Sequence, residues 1–204
     1  MEPVFKDISD HSAYAIWCND LSLEELEVDL HEETPEKLAQ YHPHKRIEYL
    51  ASRILMNKLC AYMNVAYGGI RKDEHGKPHL LSESGFISIS HSYPYIVCML
   101  DRQKHCGIDI ELPRPQLLRI KHKFLDGQEQ KQVGEDLELL CQYWSAKEAL
   151  YKIHGRKSLV FSENILVEQK TSNSFTGTIK KNELFETHSL LSVKIDDYFL
   201  VYNL

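Results

Sequence analysis

A chain of 204 residues, 43% of them hydrophobic, can bury a core either as one domain or as two small packed halves. A formal charge of −6 argues against a nucleic-acid binder held by a wide basic face, and no run of about 18 apolar residues marks a membrane span. The opening "MEPVFKDISDH" has neither the basic start nor the apolar centre of a secretion signal, so a cytoplasmic protein with no membrane partner is expected.

"AYAIWCNDL" (13–21) reads as a short strand, and "LSLEELEVDL" offers Ser22 as a cap with acids in the first turn of a helix. A second helix is expected from about Pro43 to Met63, where Ile47, Leu50, Ile54 and Leu55 recur at helical spacing. "YGGIRKDEHGKPHL" then breaks the pattern. "GFISISHSYPYIVCML" alternates about a turn at His91 to Pro94 and reads as a hairpin.

The second half repeats this order. Strand "CGIDIEL" precedes helical material from about Pro115 to His154, and "LLSVKIDDYFLVYNL" reads as another hairpin turning at Asp196-Asp197. "YLASRILMNK" (49–58) aligns with "WSAKEALYK" (144–152), and the senses of the two hairpins agree. Ordered matches of this kind point to an internal repeat. The expected fold class is α+β: a pseudodimer of two similar lobes, 1–104 and 105–204, each an antiparallel sheet on a long helix. A ligand cleft is expected between them.

Side chains alternate along a strand, so Asp109 and Glu111 leave one face of "GIDIE" while Ile108 and Ile110 leave the other. Alone, such a pair reads as a solvated strand face. In the helix ending "CQYWSAKEALYK", however, Glu148 falls within the stripe of Leu137, Cys141, Trp144 and Tyr151. A surface pair from Glu148 to Lys152 is the plain alternative, but a carboxylate among apolar groups is costly unless it is paired or bound to a cation. Three carboxylates from a strand and a helix suit a hard cation such as Mg²⁺, which keeps its other positions for water and phosphate oxygens. Zinc is disfavoured, because no His or Cys stands at suitable spacing to these acids. The five cysteines are scattered without a Cys-x-x-Cys pair and read as free thiols. Cations for a phosphate substrate are supplied in the first half by Lys45, Arg46, Arg53, Arg71, Lys72 and Lys77.

"GKP" (76–78), "SISHS" (88–92), "GIDIE" (107–111) and "WSAKEALYK" (144–152), with the looser run from Arg46 to Arg53, occur in an order that resembles the 4′-phosphopantetheinyl transferase superfamily, in its larger surfactin-synthetase-activating type. The resemblance implies a two-lobed fold and transfer of phosphopantetheine from coenzyme A to a serine of an acyl or peptidyl carrier protein, releasing adenosine 3′,5′-bisphosphate. Asp109, Glu111 and Glu148 would then hold Mg²⁺, and Lys152 would neutralise charge on the pyrophosphate. Arg46, Arg53, Ser90 and His91 would engage the 3′-phosphate side of coenzyme A. Gly76, Lys77 and Pro78 would line its adenine and phosphate end. Glu129 in "FLDGQEQ" would accept the serine proton, although Leu125 stands where the family commonly has a second aromatic residue.

Two rivals share these motifs: an idle coenzyme A or carrier-binding module, and an Mg-dependent hydrolase of the coenzyme A pyrophosphate. A monomer is expected. The carrier is expected to be acidic, so docking would rely on a local basic or apolar patch that the sequence does not single out.

Overall fold

The computed structural model describes residues 2–30, 34–155, 159–181 and 183–204. Two compact units divide the chain, residues 1–105 and 106–204. Among the described residues no helix is long and apolar enough to cross a membrane.

The first unit contains β1 (Val4–Ser9), β2 (Ser12–Cys18), α1 (Leu23–Asp29), α2 (Pro43–Tyr62), β3 (Ile70–Lys72), β4 (Pro78–Leu80), β5 (Phe86–Ser92) and β6 (Tyr95–Asp101). Ser22 begins α1 through a capping box. Its hydroxyl accepts from the Glu25 amide, and Glu25 accepts from the Ser22 amide at 2.8 Å. Pro43 stands in the first turn of α2, where its missing N–H costs nothing. Leu50, Ile54, Leu55 and Leu59 lie on the buried side of α2 and share a core with Ala13, Ala15, Ile87, Cys98 and Leu100 of the sheet. That sheet is antiparallel, in the order β1-β2-β6-β5.

The second unit contains β7 (Ile108–Glu111), α3 (Gln116–Ile120), α4 (Gly127–Val133), α5 (Leu137–His154), α6 (Phe161–Asn164), β8 (Ile165–Gln169), β9 (Ser174–Lys181), β10 (Leu184–Ile195) and β11 (Tyr198–Asn203). Its antiparallel sheet runs β7-β11-β10-β9-β8, and α5 packs on it through Tyr143, Ala146, Leu150 and Ile153. The α+β class expected from the sequence is therefore observed. Each unit also has a strand, then a long helix, then a hairpin whose second strand pairs with the first strand: β2-β6-β5 in one and β7-β11-β10 in the other.

Two expectations need correction. The helical stretch from Pro115 to His154 is three α-helices and a 3₁₀ turn, because Asp126 and Asp136 act as N-caps and Gly134 takes φ 56°. The deepest face of α5 is also not the one centred on Glu148. Leu140, Tyr143, Ala146 and Leu150 are fully buried, while Trp144, Glu148 and Tyr151 form a half-buried flank.

Candidate active site

Gly107 brings β7 against α5. A Cβ at this position would run into the carbonyl of Ala149 and the side chain of Ile153, so only glycine allows the approach. Ile108 and Ile110 then occupy one face of the strand and Asp109 the other. Asp109 pairs across the sheet with Val201, a member of the core beneath α5, so the carboxylate face is the helix face.

Three residues of α5 reach the strand. The Cys141 thiol approaches the Glu111 carbonyl oxygen at 3.7 Å, Trp144 Nε1 donates to Glu111 Oε1 at 3.4 Å, and Lys152 Nζ donates to Asp109 Oδ1 at 2.7 Å and to the Ile108 carbonyl at 2.9 Å. The strand thus runs antiparallel to the helix, with Glu111 beside Trp144 and Asp109 beside Lys152. Glu148 lies one turn from each on the same stripe, between the residues that meet the two strand carboxylates.

Burial, and after it the charge of Asp109, push the Glu111 carboxyl up to about 7; the Trp144 N–H, Arg114 and Lys152 pull the other way. Among the described residues no three His, Cys, Asp or Glu side chains come close enough to hold a metal ion as they stand. The donor chemistry nonetheless fits a hard cation. Two desolvated carboxylates repel each other on one strand, and a third stands on the facing helix stripe.

Glu129 belongs to a different constellation. Asp126 and Glu129 form a capping box at the start of α4, in which Glu129 Oε2 accepts from the Asp126 amide at 2.8 Å. The same oxygen accepts from Lys147 Nζ at 2.7 Å, and Oε1 accepts from the Val167 amide at 2.8 Å. Lys147 also donates to the carbonyls of Ile165 at 2.5 Å and Phe161 at 3.2 Å. Burial lowers the pKa of Lys147, and Glu129 opposes that shift. Three of the carboxylate's four acceptor positions are taken, and the remaining one is on Oε1.

Lys147 is the site-region residue that the sequence reading missed. It is next to Glu148 in sequence but reaches Glu129 of α4 and the Ile165 carbonyl at the start of β8, and its side chain has 0% exposure. A lysine within a helix gives no sign of burial unless its acid partner is known. Beside this pair, a cavity of about 230 Å³ is lined by Glu129, Gln128, Gln132, Glu168 and Thr176 among others, and by none of Asp109, Glu111, Glu148 or Lys152.

The expected coenzyme A residues lie in the first unit. Ile87 and Ile89 of β5 face the core beneath α2, and His91 continues that face to meet Glu48 of α2 at 3.3 Å. Ser90, next along the strand, is buried. Arg53 is buried with its guanidinium 3.2 Å from the Tyr49 ring centre, and it donates to the Tyr49 carbonyl. Arg46 donates to Glu27 at 2.8 Å. Asp73 shapes the turn before Pro78 by accepting from the amides of His75 and Lys77, with Gly76 at φ 79°. Lys77 is buried and its Nζ lies 3.3 Å from His105 Nδ1. The His105 ring packs edge-on against Phe86. Phe86 and His91 stand at opposite ends of β5, about 17 Å apart along the strand. The Lys77 and His91 contacts therefore mark two separate ends of the hairpin.

A glycine-seated strand bearing acids, faced by a helix that supplies a third acid and a buried lysine, defines a candidate centre for phosphate chemistry. Residues 105–202 match the family model of the 4′-phosphopantetheinyl transferase superfamily. The chain is 30% identical over 129 residues to 4′-phosphopantetheinyl transferase HetI of a Nostoc species, covering 56% of this chain and 54% of that protein. It is 32% identical over 122 residues to slr0495 of a Synechocystis species, whose name also refers to a 4′-phosphopantetheinyl transferase, covering 52% and 47%. The matched region spans about half the length of these curated relatives.

Proposed function

We propose that the protein is an Mg-dependent 4′-phosphopantetheinyl transferase of the larger, two-lobed type, moving the phosphopantetheine group of coenzyme A onto a serine of an acyl or peptidyl carrier protein. The observation that carries this reading is the Asp109–Lys152 pair beside Glu111, with Glu148 between their helix partners, in a segment that matches the superfamily.

Asp109, Glu111 and Glu148 would hold the cation, which would supply charge neutralisation on the pyrophosphate of coenzyme A. Lys152, anchored by Asp109 and the Ile108 carbonyl, holds a fixed positive charge where negative charge gathers on the leaving group. The serine Oγ forms a bond to the phosphorus that carries the pantetheine arm. The bond from that phosphorus to the bridging oxygen breaks, and adenosine 3′,5′-bisphosphate leaves with the electron pair. The serine proton passes to a general base; Glu129, the candidate, already accepts from Lys147 and from the Asp126 and Val167 amides, which leaves one acceptor position, on Oε1, for that proton. No covalent enzyme intermediate is required. Arg46, Arg53, Lys77, Ser90 and His91, with the turn at Gly76 and Pro78, are assigned to coenzyme A, whose 3′-phosphate and adenine need cations and a shaped turn.

The test is the fate of phosphopantetheine when the protein meets coenzyme A, Mg²⁺ and an apo carrier. The reading expects it on the carrier, with adenosine 3′,5′-bisphosphate released in equal amount. Free phosphopantetheine with an unmodified carrier would make the protein a hydrolase instead.

A further inference from the structure

Lys77 ends the turn between β3 and β4 as a buried cation, and it meets a histidine that lies outside the "GKP" and "SISHS" motifs. The turn is closed from within. The Asp73 amide donates to the Lys77 carbonyl and the Gly76 amide to the Asp73 carbonyl, each at 3.0 Å, while the Asp73 carboxylate accepts from the His75 and Lys77 amides. Lys77 is 6% exposed, and its Nζ lies 3.3 Å from Nδ1 of His105. His105 is exposed, yet its ring is held edge-on against Phe86 with 4.4 Å between ring centres.

An ammonium has donors only, so Nδ1 must accept. The contact therefore selects the neutral ring with its proton on Nε2. Protonating Nδ1 would break the bond and set two cations side by side. A phosphate brought to Lys77 reverses that preference, because an imidazolium beside the ammonium adds a second charged donor to the anion. The surrounding groups leave this part to His105. Asp73 pairs with His79 at 3.0 Å, and that bond above all draws its pKa down to about 2, so it stays ionised from pH 6 to 8. His75 lies 3.4 Å from Glu74, and His11 lies 3.8 Å from Asp101, whose carboxylate accepts from the Gln103 and Lys104 amides. Those three imidazoles each face a carboxylate, whereas His105 faces an ammonium.

We propose that His105 positions Lys77 for a phosphate at the adenosine end of coenzyme A and takes up a proton when that phosphate binds, so that affinity rises as pH falls through the imidazole range. The inference rests on the transferase reading for the identity of the ligand. Binding and proton uptake are coupled by linkage, so each reports the other.

The experiment titrates adenosine 3′,5′-bisphosphate calorimetrically into the full chain at pH 6, 7 and 8, in buffers of different ionisation heat, so that proton uptake is read beside Kd. Transfer to an apo carrier is followed separately. His105→Asn keeps an acceptor near the Nδ1 position but cannot titrate, and His105→Phe keeps a ring against Phe86 without the acceptor. The ligand's own phosphates titrate in this range, so each wild-type Kd is divided by that of His105→Asn at the same pH. The wild type is expected to gain about fivefold on His105→Asn between pH 8 and pH 6, and to take up about half a proton more at pH 7. His105→Phe is expected to raise Kd about threefold or more at every pH. An equal pH dependence in wild type and His105→Asn, or a His105→Phe variant that binds as the wild type does, would overturn the proposal. Transfer by a wild type that lacks this linkage would overturn the proposal and leave the transferase reading standing. Linked binding without transfer to any carrier would do the reverse, and a wild type that binds no bisphosphate would overturn both.

Discussion

Lys152 and Asp109 meet at 2.7 Å with side-chain exposures of 9% and 4%, and the lysine also donates to the Ile108 carbonyl. A buried ion pair is costly to assemble and more costly to break from one side, because the remaining charge stays desolvated. Lys152→Met is therefore expected to cost about 3–5 kcal/mol in urea unfolding. Adding Asp109→Asn should recover part of that loss. A double variant no more stable than the single one would contradict the coupling.

Glu111 predicts a pH dependence. Its folded-state pKa is raised from 4.5 to about 7, so between these values the folded protein keeps a proton that the unfolded chain has lost. Stability contributed by this group is complete below about pH 4.5 and is lost as pH rises through 7, by roughly 3 kcal/mol. Urea midpoints of metal-free protein from pH 4.5 to 8 should show this decline, Glu111→Gln should flatten it, and Mg²⁺ should restore stability at pH 8. A Glu111→Gln profile parallel to the wild type would contradict it.

Glu129→Gln should behave first as a structural variant. The amide keeps one acceptor oxygen but loses the charge facing Lys147, whose side chain has 0% exposure, so a loss of about 3 kcal/mol is expected by thermal or urea denaturation. If Glu129→Gln instead keeps full stability while transfer falls a hundredfold with an altered pH profile, the carboxylate is the proton acceptor.

Gly107→Ala and Gly177→Ala offer a comparison of two close approaches. At 107 the added methyl meets the backbone carbonyl of Ala149, which cannot move without unwinding α5; at 177 the nearest atoms belong to the side chain of Leu150, which can rotate. Gly107→Ala should cost about 3 kcal/mol and Gly177→Ala about 1 kcal/mol. Equal costs would show that β7 does not depend on this contact with α5.

The alternation in "GIDIE" and the spacing of "WSAKEALYK" were enough to place Asp109 and Glu111 on one strand face and Glu148 on a helix stripe, because both patterns follow backbone periodicity. The capping role of Ser22 and the Tyr93-Pro94 turn were legible for the same local reason. β1, β8 and β9 were not anticipated. In β1 the exposed Lys6 and Asp7 dilute the pattern, while β8 and β9 each bury only two apolar side chains, Ile165 with Val167 and Phe175 with Ile179, an alternation too short to stand out before pairing. The Lys147–Glu129 pair joins residues 18 apart in sequence, and nothing in either segment alone announces it. The stripe through Trp144 and Glu148 pointed to the right neighbours, but the deepest core face of α5 lies beside it.

The most direct test of the central claim is the intact mass of an apo carrier protein after incubation with this protein, coenzyme A and Mg²⁺. The account predicts a gain of one phosphopantetheine group with the wild type, and none with Asp109→Ala or Glu148→Ala variants that remain folded. An unchanged carrier mass with the wild type, across fatty-acid and peptide-type carriers, would contradict it.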